Sequence, residues 1–271
     1  MIPQITIQLY SVRDLAKNDY AATIRAIAEA GFGNVEPAGY PGFSAQEASR
    51  LFSELGLKAP SAHIGLPIGD NKNAIIDEAL LMGHQYLITG CPPDFQENYS
   101  SLDKVRAMAD LYTEAAANLA PLGLQVGYHN HDWDLALVEG RRGYQLFLEQ
   151  TPETVVYEAD IFWVARAGLD PAAFIQEIGA RGKVLHFKDG IVSNEATFIE
   201  AETDSGKIMV SDAIPFRAAG MGQVDLIAAS KAVHHAEYIA VELDSFEGDM
   251  MQAIQDSYRY LTSHQIAQGT K

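Results

Sequence analysis

Cysteine is almost missing from this sequence: Cys91 stands alone among 271 residues. A single cysteine closes no intrachain disulfide and builds no cysteine-based zinc cluster. It follows an apolar run, Tyr86-Leu-Ile-Thr-Gly90, and precedes Pro92-Pro93, so it reads as strand-end packing rather than a nucleophile. Positive charge is scarce too, with 19 Lys and Arg against 36 Asp and Glu and a formal net charge of −17. Nucleic-acid binding needs a basic footprint, so no nucleic-acid partner is expected. The acidity itself is read as solubility. No apolar run reaches the length that a membrane span requires. The opening Met1-Ile-Pro-Gln-Ile-Thr lacks the basic-then-apolar pattern of a signal peptide, and the expectation is a cytoplasmic protein with no membrane contact. No Gly-x-Gly-x-x-Gly follows the first apolar segment, which weakens a dinucleotide-binding sheet.

What is present is a globular composition, 48% hydrophobic and 20% charged, in a chain long enough for one large core. Its centre is Val126-Gly-Tyr-His-Asn-His-Asp-Trp133. Residues i and i+2 of a strand share a face, so His129 and His131 project together. Three other apolar runs end in same-face pairs of ligand-type residues: Glu158 with Asp160, His186 with Lys188, and Glu242 with Asp244. Four such endings outweigh any one of them.

In chain order, strands are expected at Ile5–Tyr10, Asn34–Ala38, Leu57–Ile64, Gln85–Thr89, the His-Asn-His segment, Thr154–Phe162, Lys183–Phe187 and Tyr238–Leu243. Helical spacing fills the gaps, as in Ala21, Ile24, Ile27 and Ala28. Ser44-Ala-Gln-Glu47 is a capping box, and Asp170-Pro171 a helix start. Eight strands alternating with helices close most naturally into an α/β (β/α)8 TIM barrel, with an open doubly wound sheet as runner-up. A single domain over 1–271 is expected, with a long loop of little periodicity at about 189–222 over the active-site mouth.

In such a barrel the strand C-termini converge on one mouth. Gln8, Glu36, His63, His129, His131, Glu158, Asp160, His186, Lys188 and Glu242 all fall at those ends. Buried ionisable groups in that number need pairing or a metal. His, Asp and Glu without Cys suit one divalent cation: Mn²⁺, Mg²⁺, Co²⁺ or Zn²⁺.

The chain resembles the xylose isomerase-like TIM-barrel superfamily of sugar phosphate isomerases and epimerases. The likeness is carried by Gln8-Leu-Tyr-Ser-Val-Arg-Asp14, Val35-Glu-Pro-Ala-Gly-Tyr40, Tyr128-His-Asn-His-Asp132, Glu158-Ala-Asp-Ile-Phe-Trp-Val164, His186-Phe-Lys-Asp189 and Val241-Glu-Leu-Asp244. It implies one divalent ion held at the ends of strands five to eight, and Asp160, His186 and Glu242 match that pattern. His129 stands where the strand-five glutamate is expected, and Glu158 is in place to restore a carboxylate. Gly220-Met-Gly222 replaces a Gly-Glu-Gly. The expected metal set is therefore Glu158, Asp160, His186 and Glu242. His131 is the favoured base, with His129 and Glu242 as further catalytic candidates, and Gln8, Glu36, His63 and Lys188 are expected to bind substrate. The implied activity is isomerisation or epimerisation of a sugar or keto-sugar through an enediolate. The alternatives are a lyase or dehydratase on a keto-sugar, keto-glycoside or inosose with a histidine base, and a non-catalytic sugar-binding barrel. The expected partner is a small carbohydrate, and a homo-oligomer is compatible with the sequence.

Overall fold

The computed structural model describes residues 2–90, 92, 97–193, 199–203, 206–210 and 214–269. Cys91 and parts of the 189–222 segment lie outside the described residues.

Seven strands form one parallel sheet. They are strand one (Gln4–Ile7), strand three (Ser61–His63), strand four (Tyr86–Thr89), strand five (Gln125–His129), strand six (Val156–Asp160), strand seven (Gly182–His186) and strand eight (Tyr238–Val241). Sequence neighbours pair in turn, and strand eight returns to pair with strand one. The remaining gap is closed by residues 34–36, which occupy the second position as isolated bridges: Gln8 to Glu36 and Asn34 to Lys58. Glu36 N donates to Ile7 O (2.7 Å) and Leu9 N to Glu36 O (2.8 Å), while His63 N donates to Pro37 O (2.8 Å). The result is a (β/α)8 barrel whose second strand is its weakest stave.

Alternation along each strand decides what faces inward. Tyr86, Ile88, Val156 and Val184 form a separate apolar plug inside the barrel, with Tyr238 packed on it. Gly127 lies among them, and a Cβ there would run into Ile88 Cδ1 and Val156 Cγ2. Two residues further along each strand the same face carries chemistry: Val156 leads to Glu158 and Asp160, Val184 to His186, and Gly127 to His129. The opposite face, including Tyr128, Tyr157, Ala159 and Leu185, belongs to the larger core shared with the helices.

The capping box forms as expected. Ser44 N donates to Glu47 Oε2 (2.8 Å), and the helix Ala45–Leu55 ends on Gly56 at φ 68°. Several ends differ from the pattern-based reading. Strand one stops at Ile7 because Gln8 turns back, its Oε1 accepting from Tyr10 N (3.0 Å), and Leu9–Val12 becomes a 3-10 turn. Strand six stops at Asp160, whose Oδ1 caps the amides of Phe162 (3.0 Å) and Trp163 (3.3 Å) and starts the helix Ile161–Arg166. Within 189–222, Asp189–Gly190 pairs antiparallel with Phe216–Arg217, and Ile199–Thr203 with Gly206–Val210, so part of the aperiodic stretch is short hairpin. No helix among the described residues is long and apolar enough to cross a membrane.

Candidate active site

The expected site residues do converge, and they do so almost without solvent. Gln8, Glu36, Glu158, Asp160 and His186 are fully buried, and Lys188, His129 and Glu242 nearly so. His63 gains its place because Gly90 has no side chain: a Cβ there would sit 2.8 Å from His63 Nδ1.

Glu158 Oε2 is the meeting point of three imidazoles. His63 Nε2 lies at 2.6 Å, His129 Nδ1 at 2.9 Å and His186 Nε2 at 3.2 Å. Its other oxygen, Oε1, is buried and has no hydrogen-bond partner among the described residues. Glu36 lies behind this cluster. Gln8 Nε2 donates to its Oε1 (2.7 Å), which is also 2.9 Å from His186 Nε2, and Ser61 Oγ donates to its Oε2. His186 Nδ1 reaches Glu242 Oε2 at 2.7 Å.

Lys188 forms a second centre. Its Nζ lies 2.9 Å from Asp160 Oδ2, 2.8 Å from Glu242 Oε2 and 3.0 Å from Asp244 Oδ1, and faces the rings of Trp163 and Phe216. The ammonium thus joins two of the expected metal carboxylates to Asp244.

Protonation follows from these neighbours. Burial disfavours charge on His186, yet Glu158, Glu242 and Glu36 outweigh it and hold the imidazole well above its usual range. Lys188 is likewise raised, with Asp160, Asp244 and Glu242 overcoming burial. Glu158 and Glu242 stay ionised despite burial, held down by His186 and His63 and by Lys188 and His186 respectively. Burial pushes Asp160 up to about 6 against the pull of Lys188, and it raises Glu36. His129 goes the other way, down to about 4, because burial is incompletely offset by Glu158. His131 falls well below its usual value through burial, with His129 and Lys188 adding to the effect.

His131 lies beyond the end of strand five. Its backbone N donates to Asp134 Oδ2 (2.6 Å), and its ring stacks on Trp133 with centroids 4.1 Å apart. Its Nδ1 is buried with no hydrogen-bond partner among the described residues. Asn130, between the two histidines, points elsewhere: its side chain bonds the backbone of Asp160 in both directions, tying strands five and six together at the mouth. Asp132 accepts from Arg166 Nε (2.7 Å), and these two residues, Trp133 and Ala167 line a cleft of about 400 Å³.

No protein-family model matches the chain. No curated protein matches it in sequence. Solved structures do match in shape. A sugar phosphate isomerase/epimerase from Parabacteroides distasonis superposes with TM-score 0.74 at 21% identity, over 99% of this chain and 100% of that one. A probable 3-DHS dehydratase from Bacillus anthracis gives 0.70 at 12%, over 96% and 98%. The IOLI protein, solved with a bound zinc atom, gives 0.66 at 14%, over 96% and 98%. The chain has the xylose isomerase-like TIM-barrel fold.

The donor atoms at this mouth could hold a divalent ion. Among the described residues, two groups of four have ligand atoms within 4.8 Å of one another: His63, His129, Glu158 and His186, and His129, Asp160, His186 and Glu242. Glu158 and Asp160 therefore fall into different groups, sharing His129 and His186, rather than into the one set expected. The nitrogen and oxygen donors, with an unpartnered buried oxygen on Glu158, suit a borderline divalent ion.

Three participants went unassigned in the sequence reading. Asp244 and Ser61 were legible in principle, each two residues from an assigned neighbour on the same face. Asp189 was not. Its carboxylate accepts backbone N–H groups from Gly190 (2.8 Å), Gly220 (2.9 Å), Gly222 (2.9 Å) and Val224 (3.1 Å), pinning the two ends of the 189–222 excursion together. A Cβ on Gly222 would strike Asp189 Oδ1, so the Gly220-Met-Gly222 segment serves as a backbone cradle.

Proposed function

We propose that this chain is an isomerase or epimerase of a sugar or keto-sugar, moving a proton at the carbon next to a carbonyl with one divalent ion at the mouth. The observation that carries this reading is His131. It offers a neutral imidazole with an unpartnered buried nitrogen, beside a cluster of donors suited to an ion. When bound, such an ion would supply Lewis-acid polarisation of adjacent substrate oxygens. The residues that would hold it are drawn from His63, His129, Glu158, Asp160, His186 and Glu242.

His131 Nδ1 accepts the proton from the substrate carbon, and the Trp133 stack and Asp134 hold the ring in place. Gln8, Glu36, His63 and Lys188 contribute hydrogen-bonding groups to the pocket that receives the sugar hydroxyls. Glu242, held ionised by Lys188 and His186, is an acceptor rather than a donor on the other side. Return of the proton by His131 to the neighbouring carbon is isomerisation, and return to the same carbon from another group is epimerisation. The 189–222 excursion belongs to the same proposal, as the segment that excludes water during the transfer.

A dehydratase or lyase on a keto-sugar, keto-glycoside or inosose is the second reading, and Lys188 favours it. Elimination needs one base and one acid, and a lysine held protonated opposite a neutral histidine offers that pair. One experiment separates these readings from a sugar-binding barrel without catalysis. Ketoses, keto-glycosides and inososes are incubated with the protein in D₂O, with and without chelator, and the products are followed by NMR. Deuterium on the carbon without loss of mass supports isomerisation or epimerisation. Loss of water or of an alkoxy group supports the lyase. Absence of either across the panel, with Mn²⁺, Mg²⁺, Co²⁺ and Zn²⁺ each supplied, sinks both enzymatic readings.

A further inference from the structure

We infer that the divalent ion of this barrel is seated by His63, His129, Glu158 and His186, and that the Lys188 ammonium takes the place of a metal at Asp160 and Glu242. The inference rests on the proposal that the mouth holds an ion, and adds which side chains hold it. The two donor groups differ in what already fills them. In the Asp160 and Glu242 group, Lys188 Nζ sits 2.9 Å and 2.8 Å from the very carboxylate oxygens a metal would take, and is tethered on its far side by Asp244 at 3.0 Å. The remaining oxygen of Asp160 caps two amides of the following helix. A second cation there would face a fixed positive charge within 3 Å of both carboxylate oxygens.

The Glu158 group has no such occupant. Three imidazole nitrogens from strands three, five and seven lie within 3.2 Å of one oxygen of Glu158, and its second oxygen is buried and unpartnered among the described residues. Gly90 leaves the space that lets His63 join. Three imidazoles and one carboxylate form a nitrogen-rich set, which favours Zn²⁺ or Co²⁺ over Mg²⁺.

The test is titration of the chelator-treated full-length protein with Co²⁺, read by its visible absorption, with stoichiometry confirmed by elemental analysis. His63→Ala and Glu158→Gln should each weaken Co²⁺ binding at least ~10-fold, and Asp160→Asn should leave it within about twofold. Circular dichroism and thermal melting of each variant show that it is folded, and Glu158→Gln keeps the side chain's shape where His63→Ala proves unstable. Mg²⁺ should compete poorly, so a large excess leaves the Co²⁺ spectrum unchanged. Loss of binding in Asp160→Asn with binding retained in His63→Ala and Glu158→Gln overturns the inference, while the proposed metal-assisted activity stands. Failure of the wild-type protein to bind Co²⁺ or Zn²⁺ overturns the inference. Deuterium uptake by substrate from that metal-free protein would then show that the proton transfer survives without its ion.

Discussion

Replacing Lys188 by Met keeps an unbranched side chain one atom shorter and removes one buried charge. The magnitude follows from three contacts. A unit charge pair at 2.9 Å, the Lys188 to Asp160 separation, is worth about 6 kcal/mol at an effective dielectric near 20. Three such pairs would give roughly 17 kcal/mol, most of it offset by desolvation of the ions. The net loss on breaking a buried pair is about 3–5 kcal/mol, because the partners remain buried without compensation. At about 2–4 °C per kcal/mol for a chain of this size, the melting temperature should fall by roughly 6–20 °C.

The loss should depend on pH in a definite direction. Asp160 is already raised to about 6 by burial and Asp244 is raised too, and removing the ammonium sends both further up. A carboxylate whose folded value lies above its unfolded one favours the folded state at low pH, and that stability is lost as pH rises through the folded value. Lys188→Met should therefore be close to wild type near pH 4–5 and worst above pH 6 to 7. Melting curves of chelator-treated protein at fixed scan rate, from pH 4.5 to 8.5, read this directly. Adding Asp244→Asn to Lys188→Met should recover part of the loss, since the two touch. A variant within 1 kcal/mol of wild type at pH 8, or a loss independent of pH, would refute the reading of Lys188 as the internal counter-ion.

His131→Ala should lower kcat by about two to four orders of magnitude, with metal content unchanged. Because burial holds His131 well below its usual value, the wild-type rate assigned to this base should stay level through neutral pH and fall only well on the acid side, as the imidazole takes up its proton. His129→Ala should reduce metal occupancy or substrate affinity, as measured by elemental analysis and calorimetry. Hydrogen exchange within 189–222 should slow when substrate or an analogue binds, and unchanged exchange at saturation would count against closure. Asp189→Ala leaves four amides without their acceptor, so exchange should quicken at Gly190, Gly220, Gly222 and Val224 even in free protein.

The barrel was legible because its evidence is local and repeated. Each strand's inward face switches from apolar to polar at its end, and a period of two carries that switch straight into space, as from Val184 to His186. Ends decided by a side chain turning on its own backbone were not legible. Gln8 caps a turn and Asp160 caps a helix, and in the sequence each looks like one more strand residue. The second strand was read as an ordinary one, since Asn34–Ala38 has the composition, yet it meets its two neighbours through isolated bridges rather than a continuous ladder.

Which side chains gather at the mouth was equally legible, and how they pair was not, for a physical reason. Strand alternation says which side chains enter the barrel, whereas register and strand tilt say which of them meet. Glu158 and Asp160 share a face and were grouped for that reason. Two residues of register separate them: Glu158 lies level with His129, and Asp160 level with His186. The first thus meets imidazoles, and the second meets the lysine that follows His186 on the same face. Lys188 was read as a substrate contact because a charged residue at a mouth commonly touches solvent or ligand. Strand alternation does not show that its Nζ also gathers three carboxylates, Asp160 at the end of strand six and Glu242 and Asp244 just past strand eight, 2.8 to 3.0 Å away. Their convergence also bears on His129 at the end of strand five. With Glu in place of His129 the mouth would carry one more buried negative charge, and with His it carries a group that burial keeps neutral at ordinary pH. The internal cation and the neutral histidine both reduce the negative charge at this mouth, so His129 and Lys188 act in the same direction.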